Sequence, residues 1–243
     1  MNWHNRYVQQ AVWTRDLRAY LFEKAGLSEA RCVLEVGCGT GAVLGDLHTR
    51  ASLHGLDLAP AALTECRIHA PAAFLTRGDG LSLPYPNGAF DITYCHFLLL
   101  WVADPAQALR EMKRVTKPRG NVLALAEPDY TARTDKPAEL VMLGKWQTES
   151  LKKQGADVSL GARLADLFYQ AGICLAETGA IQSRGNEALS PEHQQNEWAV
   201  LEADLTGMVA QEEIQKMKRL DESAWRHGER TLNVPTYFAW GQV

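Results

Sequence analysis

The 243-residue sequence predicts an α/β fold: a doubly wound parallel sheet with helices on both faces. Three observations carry this reading. Short apolar runs alternate with helical stripes from Arg31 to Pro128. The first run ends in the glycine-rich stretch Gly37-Cys38-Gly39-Thr40-Gly41. Asp57 follows 20 residues after Gly37, at the end of the second run.

The strands come in order. Cys32-Val33-Leu34-Glu35-Val36 is a buried strand stopped by glycines, and Ser52 to Asp57 is the second. Ala73 to Arg77 is the third, and Phe90 to Cys95, entered through the Asn87-Gly88 turn, is the fourth. Val122 to Ala126 is the fifth. Before it, Asp104-Pro105 opens a helix: Asp suits the cap, Pro the first turn, and Gln107 can reach back. Leu109, Met112 and Val115 recur at helical spacing until Pro118-Arg119-Gly120. Beyond Pro128, residues 137–153 read as a helix, and Leu160, Leu164, Leu167, Phe168 and Ala171 form a stripe closed by Gly172. Cys174 to Ser183 reads as a sixth strand. Two helices follow, one opened by Ser190-Pro191, before the aromatic strand Thr236 to Trp240.

Composition removes several classes. Apolar residues at 46% and charged residues at 22% fit a soluble globular chain, not disorder or coiled coil. The net charge of −4 gives no long-range pull on nucleic acid or anionic membrane. Five cysteines without C-x-x-C spacing argue against a disulfide framework or structural zinc, and fit a reducing compartment. The start, Met1 to Arg6, lacks an apolar leader, and the longest apolar run falls far short of the ~20 residues that span a bilayer. A cytoplasmic protein is expected.

The glycine loop can approach a ligand closely, and a following helix N-terminus would hold an anion. Asp57 can accept hydrogen bonds from ribose hydroxyls. Alone, these features also satisfy the looser dinucleotide fingerprint Gly37-x-Gly39-x-x-Ala42. Glu35 lies inside the first strand, where an unpaired carboxylate costs several kcal/mol; it either orients the loop or accepts from an ammonium-bearing ligand. Gly78-Asp79-Gly80 follows the third strand, Phe90-Asp91-Ile92 opens the fourth, and Leu109 to Gly120 leads into the fifth.

With Val33 to Gly41, Gly55-Leu56-Asp57 and those later stretches in order, the sequence resembles the class I S-adenosylmethionine-dependent methyltransferases. It is most similar to the small-molecule group that includes the ubiquinone/menaquinone-biosynthesis C-methyltransferases. The resemblance covers about residues 31–127. It implies a Rossmann-like sheet of seven strands whose last strand, Thr236 to Trp240, is antiparallel beside Cys174–Ser183. It implies S-adenosyl-L-methionine as cofactor: Gly37, Gly39 and Gly41 along methionine and ribose, Asp57 on the ribose hydroxyls, Asp79 and Gly80 at adenine, Cys95 and His96 near the methyl. Glu35, Cys38, Thr40 and Leu58 belong to the same cofactor-binding set.

A helix end stabilises an anion by only about 0.3–1 kcal/mol, so a further donor to the cofactor carboxylate is expected from the N-terminal segment. Tyr7, Thr14 and Arg18 are the candidates, although an amphipathic helix packing through Trp13, Leu17 and Leu21 explains the same segment. Methyl transfer from a sulfonium is an in-line displacement, so alignment matters most. His96 is the candidate base, with Glu127 a second catalytic candidate after the fifth strand. Asp129 reads as a turn residue. His4, His48, His54, His69, His193 and His227 show no metal-ligand spacing, so no metal site is expected.

The segment after the fourth strand, Cys95-His96-Phe97-Leu98, lacks the motif of nucleic-acid amino-methylating enzymes. The acceptor is therefore expected to be a small molecule, apolar or aromatic, under a lid that could use Trp3, Trp13, Trp146, Trp198 and Trp225. A nicotinamide-dependent oxidoreductase and a non-catalytic cofactor-binding module are the competing readings. The chain reads as one domain. Its core is 31–128, 159–183 and 232–243, and 1–30, 129–158 and 184–231 lie around the cofactor edge as helical lid insertions.

Overall fold

Alternating apolar side chains decide which way each central strand faces. The computed structural model describes residues 3–181 and 191–243. In β1 (Cys32–Val36), Leu34 and Val36 join one core cluster while Val33 joins the other, as a period of two requires. The first cluster packs α4 (Pro105–Val115) and α6 (Leu164–Gln170) on one face, and the second packs α2 (Arg15–Lys24) on the opposite face.

The remaining strands of this sheet are β2 (Ser52–Asp57), β3 (Phe74–Arg77), β4 (Phe90–Cys95), β5 (Thr116–Pro128), β7 (Cys174–Ile181) and β9 (Thr236–Gln242). The order is β3-β2-β1-β4-β5-β9-β7. β9 runs antiparallel to both β5 and β7, and the inner pairs are parallel. The order reverses between β1 and β4, and ligands of such sheets usually bind outside the carboxyl ends of the strands at that reversal. Residues 182 and 183, expected in the sixth strand, and Ser190, expected before a helix, lie outside the described residues. So do the side chains of Trp3 and His193.

Asp104 caps α4 as expected, accepting from the Gln107 N–H at 2.8 Å. The reciprocal bond is not made: the Gln107 side chain donates to the Leu81 carbonyl instead. The N-terminal segment forms two helices, α1 (Trp3–Trp13) and α2, and α3 (Pro60–His69) follows β2. Beyond the sheet, α5 (Val141–Lys153), α7 (Pro191–Leu205) and α8 (Gln211–Arg226) share a separate cluster of Leu143, Trp198, Leu205, Ile214 and Met217. A small sheet of β6 (Thr134–Lys136) and β8 (Thr231–Asn233) adjoins it. Arg230 locks this region, bonding Asp221 at 2.6 Å and Asp135 at 2.8 Å, all three buried or nearly so. Among the described residues no helix is long and apolar enough to cross a membrane.

Candidate active site

β1 ends at a loop that only glycine can form cheaply. Gly37, Gly39 and Gly41 have φ of +74°, +50° and +82°. A Cβ on Gly37 would meet Leu98 at 2.6 Å, and one on Gly39 would lie 3.5 Å from the Tyr7 ring. The Gly37 and Cys38 amides donate to the Leu56 carbonyl at 2.8 and 3.0 Å, which draws the loop over the end of β2. Asp57 completes the tie: one carboxylate oxygen accepts from the Gly39 N–H at 2.8 Å, the other from the Ala59 N–H at 2.9 Å. Beside it Leu58 is 63% exposed, an apolar side chain next to a carboxylate.

The helix expected after this loop is not there. Residues 42–51 hold one 3₁₀ turn, Leu44–Asp46. Ten residues must both leave Gly41 and return to β2, and a full crossover with its helix needs at least about 10–12. Gly45 also packs so closely on α3 that a Cβ would lie 2.4 Å from the His69 carbonyl. No helix N-terminus is therefore presented to an anion at this loop. A cavity of about 790 Å³ opens between α2 and residues 47–50. Arg18 lines it, but Asp57, Asp79 and His96 do not.

Arg18, Thr14, His96 and Glu35 come together behind the loop. Arg18, nearly fully buried, donates to Thr14 Oγ1 at 3.2 Å, the Ala11 carbonyl at 3.0 Å and Asp46 at 3.2 Å. Thr14 Oγ1 lies 2.9 Å from His96 Nε2. Crowding by protein atoms, and then the Arg18 charge, push the His96 pKa down to about 3. The residue is half-buried, and its ring stays neutral near pH 7, which makes it a weak base. The buried Glu35 accepts a 3.1 Å bond from the Tyr94 hydroxyl. Burial pushes its pKa up to about 8, opposed by that bond and more weakly by Arg18. The carboxyl is thus protonated at neutral pH, which relieves the cost read from the sequence.

Several expected roles change. Glu127 is fully buried, and its two oxygens accept from the amides of Leu98, Leu99 and Leu100 at 3.0, 2.9 and 3.2 Å. Burial lifts its pKa to about 7, against those three donors. It shapes the turn after β4, where Phe97 has φ of +52°, and both its oxygens are engaged by that turn. Cys95 is sealed in the core, where burial raises its thiol pKa. Cys38 packs with Cys66, Leu44 and Ala70, and its hydrogen bond with Cys66, then burial, raise its thiol pKa. Asp79 accepts the Leu81 N–H at 2.9 Å in a tight turn, and Gly80 lies against Val36. Asp129 is a turn residue as expected, accepting from the Thr131 N–H at 2.8 Å.

Among the described residues, Trp13, Trp146 and Trp198 do not meet on one surface. Trp198 is buried with its N–H on Asp221 at 2.8 Å, and Trp146 packs in the same insertion cluster. Trp13 is 52% exposed under the Arg6 guanidinium. Arg6 also forms an ion pair with Glu197, which ties α1 to α7. Sequence reasoning missed this pair, which joins residues far apart in the chain. It also missed the convergence of His4, Glu65 and His69, whose ligating atoms lie within 4.8 Å of one another. The four-residue spacing of Glu65 and His69 on α3 was the available signal.

A methyltransferase domain model matches residues 34–124. A demethylmenaquinone methyltransferase of Lactiplantibacillus plantarum is 31% identical over 175 residues, covering 68% of this chain and 69% of that protein. The chain belongs to the S-adenosylmethionine-dependent methyltransferase family. The chain is also 36% identical over 126 residues to a malonyl-[acyl-carrier protein] O-methyltransferase of Halorhodospira halophila, covering 49% of this chain and 43% of that protein. It spans about half the length of the first curated relatives it matches. A solved structure from Bacillus halodurans, described as a methyltransferase, shares the fold with a TM-score of 0.65 at 17% identity, covering 92% of this chain and 97% of that one.

Proposed function

We propose that this methyltransferase transfers a methyl group from S-adenosylmethionine to a small-molecule acceptor of apolar or aromatic character. The observation that carries the reading is the Asp57 carboxylate fixed on the Gly39 N–H beneath three glycines of positive φ. The residues fit the cofactor: a loop of three positive-φ glycines whose backbone a ligand can approach, a carboxylate for a ribose diol, and exposed Leu58 as an apolar surface for a base. Gly37, Gly39, Asp57, Leu58, Asp79 and Gly80 would hold it, with Tyr7 closing over Gly39. With no helix N-terminus at the loop, the buried cation Arg18, through its network with Thr14 and His96, is the donor favoured for the carboxylate end.

S-adenosylmethionine, when bound, supplies a methyl group on a cationic sulfur that leaves as a neutral thioether. The protein's part is to align and to exclude water. Neutral His96 orients by hydrogen bonding and does not take the proton, given its low basicity. Glu127 holds the Leu98 to Leu100 turn against the loop. Half-buried Phe97, Leu98 and Tyr130 near the same edge support an apolar acceptor. The relatives named above are methyltransferases, which leaves the nicotinamide and non-catalytic readings without support. Their printed names differ in acceptor, so the acceptor is tied to this chain's own insertions.

The test is incubation with methyl-labelled cofactor and a panel of quinols, phenols, free carboxylates and nucleic acids. Label in the apolar aromatic acceptors is expected. Label confined to nucleic acid would overturn the proposal.

A further inference from the structure

The seam between α1, the glycine loop and α3 holds a group of side chains with no part in the reaction proposed above. His4 comes from α1, and Glu65 and His69 from one face of α3. Their ligating atoms all lie within 4.8 Å of one another. The His4 and His69 rings stack with centroids 3.3 Å apart. Thr40 Oγ1 lies 2.9 Å from His4 Nδ1.

We propose that His4, Glu65 and His69 bind one divalent transition-metal ion of the zinc class, which fastens α1 to α3 beside the glycine loop. Two imidazole nitrogens and one carboxylate oxygen suit zinc, cobalt or nickel, and are a poor set for magnesium or calcium, which prefer all-oxygen ligands. Three protein ligands leave a fourth position for water. With Nδ1 turned to Thr40, His4 presents Nε2 to the ion, and the Thr40 bond orients the ring as outer-shell partners of metal-bound histidines do. Parallel stacked rings cannot aim two lone pairs at one ion, so one ring turns about its Cβ–Cγ bond on binding. His69 is exposed and borders a cavity of about 200 Å³ shared with His4, Val8 and Gly41, which gives it room to turn and gives the ion a path in. Tyr7, one turn after His4, lies against Gly39, so an ion at this seam also holds α1 on the loop.

The site stands apart from the methyl-transfer reading, and its test needs no cofactor. Untagged full-length protein, stripped with chelator, is titrated with zinc chloride by calorimetry. One ion per chain is expected. His69→Ala and Glu65→Gln should each weaken binding by about tenfold or more, and Thr40→Val by about tenfold. Circular dichroism checks that the variants fold; His69 is exposed, so its replacement leaves the core intact. Zinc should also slow amide exchange in α1 of the wild type and not of His69→Ala. No saturable binding at millimolar zinc, or equal affinity in folded wild type, His69→Ala and Glu65→Gln, would overturn the proposal.

Discussion

Replacing Asp57 by Ala removes the group on which the cofactor assignment turns. The carboxylate holds two backbone amides, Gly39 at 2.8 Å and Ala59 at 2.9 Å. Both lie at a half-exposed edge where water can replace the lost acceptor, so the fold should lose only about 1–2 kcal/mol. The ligand loses a hydrogen bond to a charged acceptor, worth about 1.5–3 kcal/mol, or roughly 10- to 150-fold in affinity. Asp57→Asn keeps one acceptor oxygen and should fall between. Calorimetric titration with S-adenosylhomocysteine reads the affinity, and thermal melts by circular dichroism read the fold. A folded Asp57→Ala variant that binds within twofold of wild type would refute the ribose assignment.

Other outcomes follow from buried groups. The Glu35 pKa is raised to about 8 in the folded chain. The native state therefore holds a proton that the unfolded chain releases, and stability should fall as pH rises from about 4.5 to 8, by up to about 1.4 kcal/mol per pH unit. Urea titrations across that range should show a flatter decline in Glu35→Gln; an unchanged slope would place the carboxyl outside the core. Because His96 stays neutral well below pH 7, the methyl-transfer rate should show no His96 inflection between about pH 5.5 and 8. An inflection near 6.5 that vanishes in His96→Asn would restore it as a base. Trp198→Ala empties the insertion core and removes one of the two donors to Asp221, leaving Arg230, and should cost about 3–5 kcal/mol in urea denaturation; a loss under about 1 kcal/mol would show that Trp198 packs elsewhere.

The sheet was legible where local signals agree. β1, β2 and β4 are short apolar runs bounded by glycine or turn residues, and their limits match the expected ones. Asp104-Pro105 marks the start of α4 because cap and first-turn preferences act within one turn. The helix after Gly41 was expected from the usual strand–loop–helix order, but the short return to β2 leaves only a 3₁₀ turn. Three-residue strands such as β6 and β8 carry no readable period, and the Arg230 network that braces them is tertiary. Glu35 was legible as a cost, but its partner Tyr94 lies 59 residues later. Glu127 shows the same limit: its position at the end of the fifth strand was legible, but the three amides it accepts from, 27 to 29 residues earlier, were not.

The central claim is that the glycine loop and Asp57 are built for S-adenosylmethionine. Parallel calorimetric titrations of the full chain with S-adenosylhomocysteine and with NADH test it most directly. The account predicts one S-adenosylhomocysteine per chain and no heat of binding from NADH. Saturable NADH binding with none for the homocysteine nucleoside would contradict it.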